Sequence, residues 1–226
     1  VSDYPPAPWH LGGWGVATVS LVDVRAMRAN VPRGAHVVSV VPGKTLGGLL
    51  FLAYERGPLT YRELNVVAGL VRIGARLAFW IPRLYVDSAA SLAGGREIWG
   101  VPKELADFDV QHEIGATTIA VRQGEHAVCR IRSSVATSGL RVRLPMPAFG
   151  TRGADFLLFT AGMESRVARV RATVEMPRDG EFATLGLERP RLAIRAQNLS
   201  LVVPIPRAVP RAMRARAETE AVYGTS

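Results

Sequence analysis

Short runs of strand-forming residues recur along this chain, each bounded by glycine or proline, with no regular succession of helical periods between them. The runs occupy residues 14–22, 36–41, 49–55, 64–73, 77–86, 108–113, 117–123, 126–133, 156–160 and 167–175. Gly115 and Gly124 fall where tight turns would join three of these runs into successive hairpins. Strands that follow one another without crossover helices pair antiparallel, so the pattern predicts a mainly β protein. The simplest architecture is an antiparallel barrel or highly curved sheet with a few short helices, built as one domain over residues 1–226.

Local signals add detail to this frame. The prolines of Tyr4-Pro5-Pro6-Ala7-Pro8-Trp9 favour an extended arm laid over the domain. Asp23 is placed to cap a short helix with Val24, Met27 and Val31 on one face, and Pro32 stops it. Asn198 is expected to turn the chain between two late strands, and Pro210 to start a terminal helix reaching Ala221.

The net charge of +9 raises the question of nucleic acid or anionic lipid as partners. In Leu140-Arg141-Val142-Arg143-Leu144 and Arg166-Val167-Ala168-Arg169-Val170-Arg171, however, arginines mostly alternate with apolar residues, the pattern of a solvated sheet face. No basic stripe is interleaved with aromatics, so neither nucleic acid nor membrane is expected as a partner. The absence of a long unbroken apolar run predicts a soluble protein. The single cysteine, Cys129, excludes an internal disulfide framework and agrees with a cytoplasmic setting.

Among 28 basic residues only Lys44 and Lys103 are lysines. An arginine keeps its proton under ordinary conditions, whereas a primary amine can lose one when desolvated and attack a carbonyl carbon. Lys103 lies in Gly94-Gly95-Arg96-Glu97-Ile98-Trp99-Gly100-Val101-Pro102-Lys103-Glu104-Leu105, among apolar and backbone-shaping residues. A surface lysine is the plainer alternative.

Competing chemistries find little support. A phosphate loop around Gly43-Lys44-Thr45 would need a glycine where Val38 stands. His10, His36, His112 and His126 show no close helical pairing for a metal. Ser91 and Ser138 lack the surroundings of a nucleophile and read as turn or capping residues. Glu63, at the start of an apolar strand, is placed either to enter a cavity or to pair with a surface arginine.

Gly95-Arg96-Glu97, Pro102-Lys103 and Leu84-Tyr85-Val86-Asp87 resemble the acetoacetate decarboxylase family. Tyr61-Arg62-Glu63, the proline-rich arm and Val202-Val203-Pro204-Ile205-Pro206 extend the resemblance over most of the chain. It implies a cone-like antiparallel β-barrel around an active site, usually in a homo-oligomer. It also implies that Lys103 is the Schiff-base lysine and Glu63 a catalytic pocket carboxylate, with Arg96, Glu97, Ile98, Trp99 and Glu104 around the substrate. The substrate would be a keto acid or another small carbonyl compound, with no metal or organic cofactor.

An ordinary lysine, with a pKa of about 10.4, is only about 0.04% neutral at pH 7, so imine chemistry needs surroundings that disfavour the ammonium. The family's well-known decarboxylases place a second lysine after the reactive one, where this chain has Glu104. On an extended segment Glu104 would point away from a cavity that Lys103 enters. Gly13 or Trp14 stands near the place of a pocket arginine and Leu52 near that of a second acid; Arg72, Arg76 or Arg96 are candidates to hold a substrate carboxylate instead. The expected activity is β-keto acid decarboxylation through an imine on Lys103. The alternatives are an aldolase or dehydratase using the same imine, and a non-catalytic small-molecule binding protein.

Overall fold

The structure, a computed structural model, describes residues 3–28, 31–136 and 138–210. Its strands in chain order are β1 (Trp9–Asp23), β2 (Ala35–Val37), β3 (Lys44–Arg56), β4 (Tyr61–Val67), β5 (Gly69–Ile73), β6 (Arg76–Trp80), β7 (Arg83–Val86) and β8 (Lys103–Leu105). There follow β9 (Asp107–Glu113), β10 (Ala116–Gln123), β11 (His126–Ser134), β12 (Leu140–Arg152), β13 (Asp155–Val170), β14 (Ala172–Glu175), β15 (Leu192–Val203) and β16 (Arg207–Pro210). Helix α1 covers Val24–Arg28, helix α2 Ala89–Trp99, and one 3-10 turn Ala183–Leu185.

Twelve strands form one sheet in the order β2-β5-β6-β12-β13-β15-β1-β3-β4-β7-β8, with β16 added beside β13; β14-β11-β10-β9 form a second sheet. Pairing in the large sheet is antiparallel except for β7 with β8 and a single parallel bridge between β12 and β6. The mainly antiparallel expectation holds. The expected barrel does not: the hydrogen-bonded path ends at β2 and at β8, and the described residues form no closed barrel.

Alternation along β3 assigns the two faces of the large sheet. Leu49, Phe51 and Ala53 join one core with Val16 and Val22 of β1, Leu64 and Val66 of β4, Ile119 and Val121 of β10, and Cys129 and Ile131 of β11. The smaller sheet therefore lies against this face. Leu52 and Tyr54 point the other way, into a second core with Trp9, Leu11, Tyr61, Leu84, Trp99, Leu199 and Leu201.

Several expected elements change on folding. The run at 64–73 breaks at Ala68, whose amide donates to Trp80 O: β4 pairs with β3 and β7, whereas β5 pairs with β2 and β6. The run at 77–86 divides at Ile81-Pro82 because proline lacks the amide a central strand needs. Asn198 does not turn the chain. It adopts φ 50° within β15, and register shifts on both neighbouring strands mark a bulge there. Arg141 and Arg143 are solvent-exposed as expected and share Glu164, yet Leu140 and Leu144 are exposed too, at 77% and 46%.

The segment preceding Lys103 is a helix, which the strand pattern does not show. Ser88 caps α2 by accepting from Ser91 N at 3.2 Å, and Gly100 ends it in the left-handed conformation, φ 64°. Asp23 accepts from Arg25 N at 2.8 Å, and α1, described over Val24–Arg28, buries Val24 and Met27; Val31, expected on its face, is not helical. The terminal helix expected to reach Ala221 falls outside the described residues; Pro210 itself closes β16. No helix among the described residues is long and apolar enough to cross a membrane.

Candidate active site

Lys103 opens β8, after α2 and the link Gly100-Val101-Pro102, and is 4% exposed. Two features hold it. Arg96 of α2 donates from Nε to Lys103 O at 2.8 Å, tying the lysine backbone to the helix. A Cβ on Gly95 would lie 2.6 Å from Lys103 Cε, so the missing side chain makes room for the lysine stem. A Cβ on Gly94 would likewise meet the Trp9 ring at 2.6 Å, so the Gly94-Gly95 pair lets α2 settle on both the lysine and the arm.

The ammonium lies 2.8 Å from Glu63 Oε2 and donates to Ser91 Oγ at 2.8 Å. Both members of the ion pair are buried, Glu63 at 6% exposure. Removing one partner from such a pair strands the other charge in an apolar interior, which makes the pair interdependent. Glu63 Oε1 accepts from Asn65 Nδ2 at 3.1 Å and, less closely, from Tyr54 OH at 3.5 Å. Burial first, and the nearby Glu63 charge second, push the Tyr54 and Tyr61 phenols well above their ordinary range. Both therefore remain protonated donors. The Tyr61 ring lies beneath the ammonium, 5.0 Å from Nζ to its centroid.

All of these except Ser91 line one end of a cavity of about 290 Å³. Its remaining lining is aliphatic or aromatic over long stretches of β1, β3, β12, β13 and β15. Trp9 and Trp99 meet edge to face at 4.7 Å and form part of the wall. Trp99 Nε1 donates to Pro204 O at 2.7 Å, which ties α2 to the segment after β15.

Of the residues picked from sequence, the structure brings Lys103, Glu63 and Trp99 together in the cavity lining. The other four do not line it. Arg96 is engaged with the lysine carbonyl; Glu97 accepts from Tyr4 OH at 2.6 Å, and its own carbonyl accepts from Arg152. Ile98 packs partly buried against the second core. Glu104 faces away, pairing with Arg83 at 3.2 Å and accepting from Gln123 at 2.7 Å, as strand alternation requires. Arg72 and Arg76 are exposed on β5 and β6, leaving no arginine among the described residues that line the cavity. Leu52 does line it.

Sequence reasoning passed over Ser91, Tyr54, Asn65 and Trp9. Ser91 is not the cap of α2 but a completely buried partner of Lys103, placed by the helix twelve residues upstream. Asn65 could have been found by alternation from Glu63, since residues two apart on a strand share a face. Cys129 is buried in the opposite core, where desolvation raises its thiol to about 12, so it offers no thiolate nucleophile. Among the described residues no three His, Cys, Asp or Glu side chains gather to hold a metal ion.

Fold and site together define an antiparallel β protein with an internal apolar cavity closed at one end by an amine–carboxylate pair. The family model described as acetoacetate decarboxylase (ADC) matches residues 2–180, and the chain belongs to that family. It is 34% identical over 102 residues to Protein NEOXANTHIN-DEFICIENT 1 of Oryza sativa subsp. japonica, a match covering 45% of this chain and 33% of that protein. The match thus spans about a third of the relative's length. Acetoacetate decarboxylase from Legionella pneumophila has a similar fold, with TM-score 0.74 and 16% identity over 92% of this chain and 90% of that one. The enduracididine biosynthesis enzyme MppR, in complex with the condensation product of pyruvate and imidazole 4-carboxaldehyde, is similar with TM-score 0.67 and 16% identity, covering 93% and 92%.

Proposed function

We propose that this chain is a cofactor-independent carbon–carbon lyase that decarboxylates a β-keto acid through an imine on Lys103. The observation that carries the reading is the Lys103 amine, buried at the polar end of an apolar cavity with Glu63 and Ser91 each 2.8 Å away. Transfer of the ammonium proton to Glu63 leaves a neutral amine, which attacks the substrate ketone. Glu63 returns the proton to the carbinolamine hydroxyl, which departs as water and leaves an iminium. The bond between the α-carbon and the carboxylate then breaks. Carbon dioxide leaves, and the electron pair moves through the α-carbon to the iminium nitrogen to form an enamine. Protonation of that carbon and addition of water release the ketone and the amine.

The apolar wall suits this sequence because the carboxylate charge disappears as carbon dioxide forms, so the reaction requires no solvation of a new anion. The Tyr54 phenol and the Asn65 amide donate to Glu63 Oε1 and so hold the acid beside the amine for these transfers.

That no arginine among the described residues lines the cavity favours a second reading, an aldolase or dehydratase in which the same enamine forms from a keto acid and adds to an aldehyde. The condensation product named in the MppR complex is of that kind.

Borohydride reduction during incubation with a β-keto acid should add the ketone-derived mass to the peptide containing Lys103, and product analysis should detect carbon dioxide. Lys103→Arg should abolish adduct and turnover while keeping the positive charge. An unlabelled Lys103 across β-keto acids, α-keto acids and simple ketones would remove both readings. Adduct formation with carbon–carbon bond formation and no carbon dioxide would select the second.

A further inference from the structure

We propose that the substrate carries an unbranched apolar chain on the carbonyl carbon that meets Lys103, and that this chain lies along β3 toward Leu46. The proposal rests on the imine-forming role of Lys103 and specifies what else the cavity accepts.

The inward-facing row of β3 is Leu46, Gly48, Leu50, Leu52 and Tyr54, and every member lines the cavity. From Tyr54 to Leu46 the strand rises about 26 Å at ~3.3 Å per residue, so the lining is long in one direction. Polarity is confined almost wholly to one end of that length. Tyr54 pairs across the ladder with Tyr61, Leu52 with Glu63 and Leu50 with Asn65, which gathers the phenols, the acid and the amide beside Lys103. Further along, Gly48 pairs with Val67, and the cavity is lined there by Val19, Leu46 and Val67. Phe79, Met146 and Ala148 contribute from β6 and β12.

The exception is Thr18, whose hydroxyl is already taken up by the strand backbone. It accepts from Leu49 N at 3.0 Å and donates to Leu49 O at 3.4 Å. A ligand beyond Leu50 therefore meets hydrocarbon. A keto acid of four carbons would engage the polar end and leave the remaining wall uncovered. A chain extending from the ketone would cover it, gaining roughly fourfold in affinity for each buried methylene.

The register offers a way to shorten the cavity without touching the polar end. Ala17 of β1 pairs with Leu50 and lines the cavity about halfway along the β3 row. A larger side chain there obstructs a long ligand and leaves Lys103, Glu63 and Ser91 as they are.

The test uses the full chain and a series of 2-alkanones, from acetone through 2-heptanone to 2-undecanone, as stand-ins for the ketone product. Each is reduced with borohydride, and the concentration giving half-maximal adduct on the Lys103 peptide is read by mass spectrometry. The expected half-saturating concentration falls about fourfold per methylene over the early members. Ala17→Phe should erase that gain for 2-undecanone while leaving acetone unchanged. A series with no dependence on chain length, or one that steepens equally in wild type and Ala17→Phe, overturns the apolar-chain proposal and leaves the imine standing. Failure of every ketone, acetone included, to label Lys103 overturns the imine reading and this proposal with it.

Discussion

Leu50 and Phe51 are neighbours on β3 and belong to different regions of the molecule. Phe51 is completely buried between the two sheets, with Trp14 5.3 Å and Phe108 6.1 Å away between ring centroids. Leu50 is partly buried and faces the cavity. One face of the strand is filled by protein, while the other surrounds a space shaped for something else. The lesson is that a strand can separate stability from chemistry at single-residue resolution, because its side chains alternate sides.

The separation is broken most severely at the ion pair. Glu63→Gln should lower turnover about 10²–10⁴-fold, the usual range for loss of a positioned acid–base group. Because Glu63 acts in the steps that form the iminium, adduct formation, followed by borohydride trapping, should fall along with turnover. Trapping left intact while turnover is lost would assign Glu63 to the later proton transfers instead.

Next in size is the contrast along β3 itself. Phe51→Ala should destabilise the fold by about 3–5 kcal/mol. Leu50→Ala, on the cavity side, should cost about 1 kcal/mol, within the ordinary range for a point substitution. Urea unfolding of the two variants measures the difference directly. Similar losses would mean that the cavity wall supports the fold as much as the intersheet core does.

The smallest expected effect belongs to Cys129. Its thiol moves from 9.0 to about 12 through burial, so the folded chain keeps a proton that the unfolded chain releases. That contribution is fully present below pH 9 and is lost as the pH rises toward about 12. Cys129→Ala should therefore flatten the alkaline decline in stability, read from urea midpoints between pH 8 and pH 10.5. At pH 8, modification by a thiol reagent should proceed only as fast as the protein opens.

Strand alternation made much of the fold legible in the sequence, because hydrophobic period and turn residues are local signals. Residues 117–123 and 126–133 match β10 and β11 to within a residue at each end. Helix α2 was not legible: Gly94-Gly95 disfavours a helix interior, by about 1 kcal/mol per glycine relative to alanine, and reads as a turn. Its reason lies in distant contacts, with Trp9 on one glycine and the Lys103 stem on the other. Missing the helix also misplaced Glu97 and Ile98, since consecutive helical residues project about a third of a turn apart rather than to alternate sides. Lys103 and Glu63 stood out because charge among apolar residues is visible in one dimension. Leu46, Leu50 and Val67 could not stand out, for an aliphatic side chain facing a cavity has the same sequence signature as one facing a packed core.

The Gly95 contact bears on how much freedom the Lys103 amine has left. A lysine at an open surface samples many rotamers, and ordering it costs about 1.5–2 kcal/mol of conformational entropy. Here the helix backbone presses on the stem, with Gly95 leaving only the width the methylenes need. Most of that rotational freedom is surrendered when α2 docks, before any carbonyl compound arrives. In the proposed mechanism the bond-forming step would inherit a nitrogen already aimed, and the helix would act on the rate through order rather than through charge.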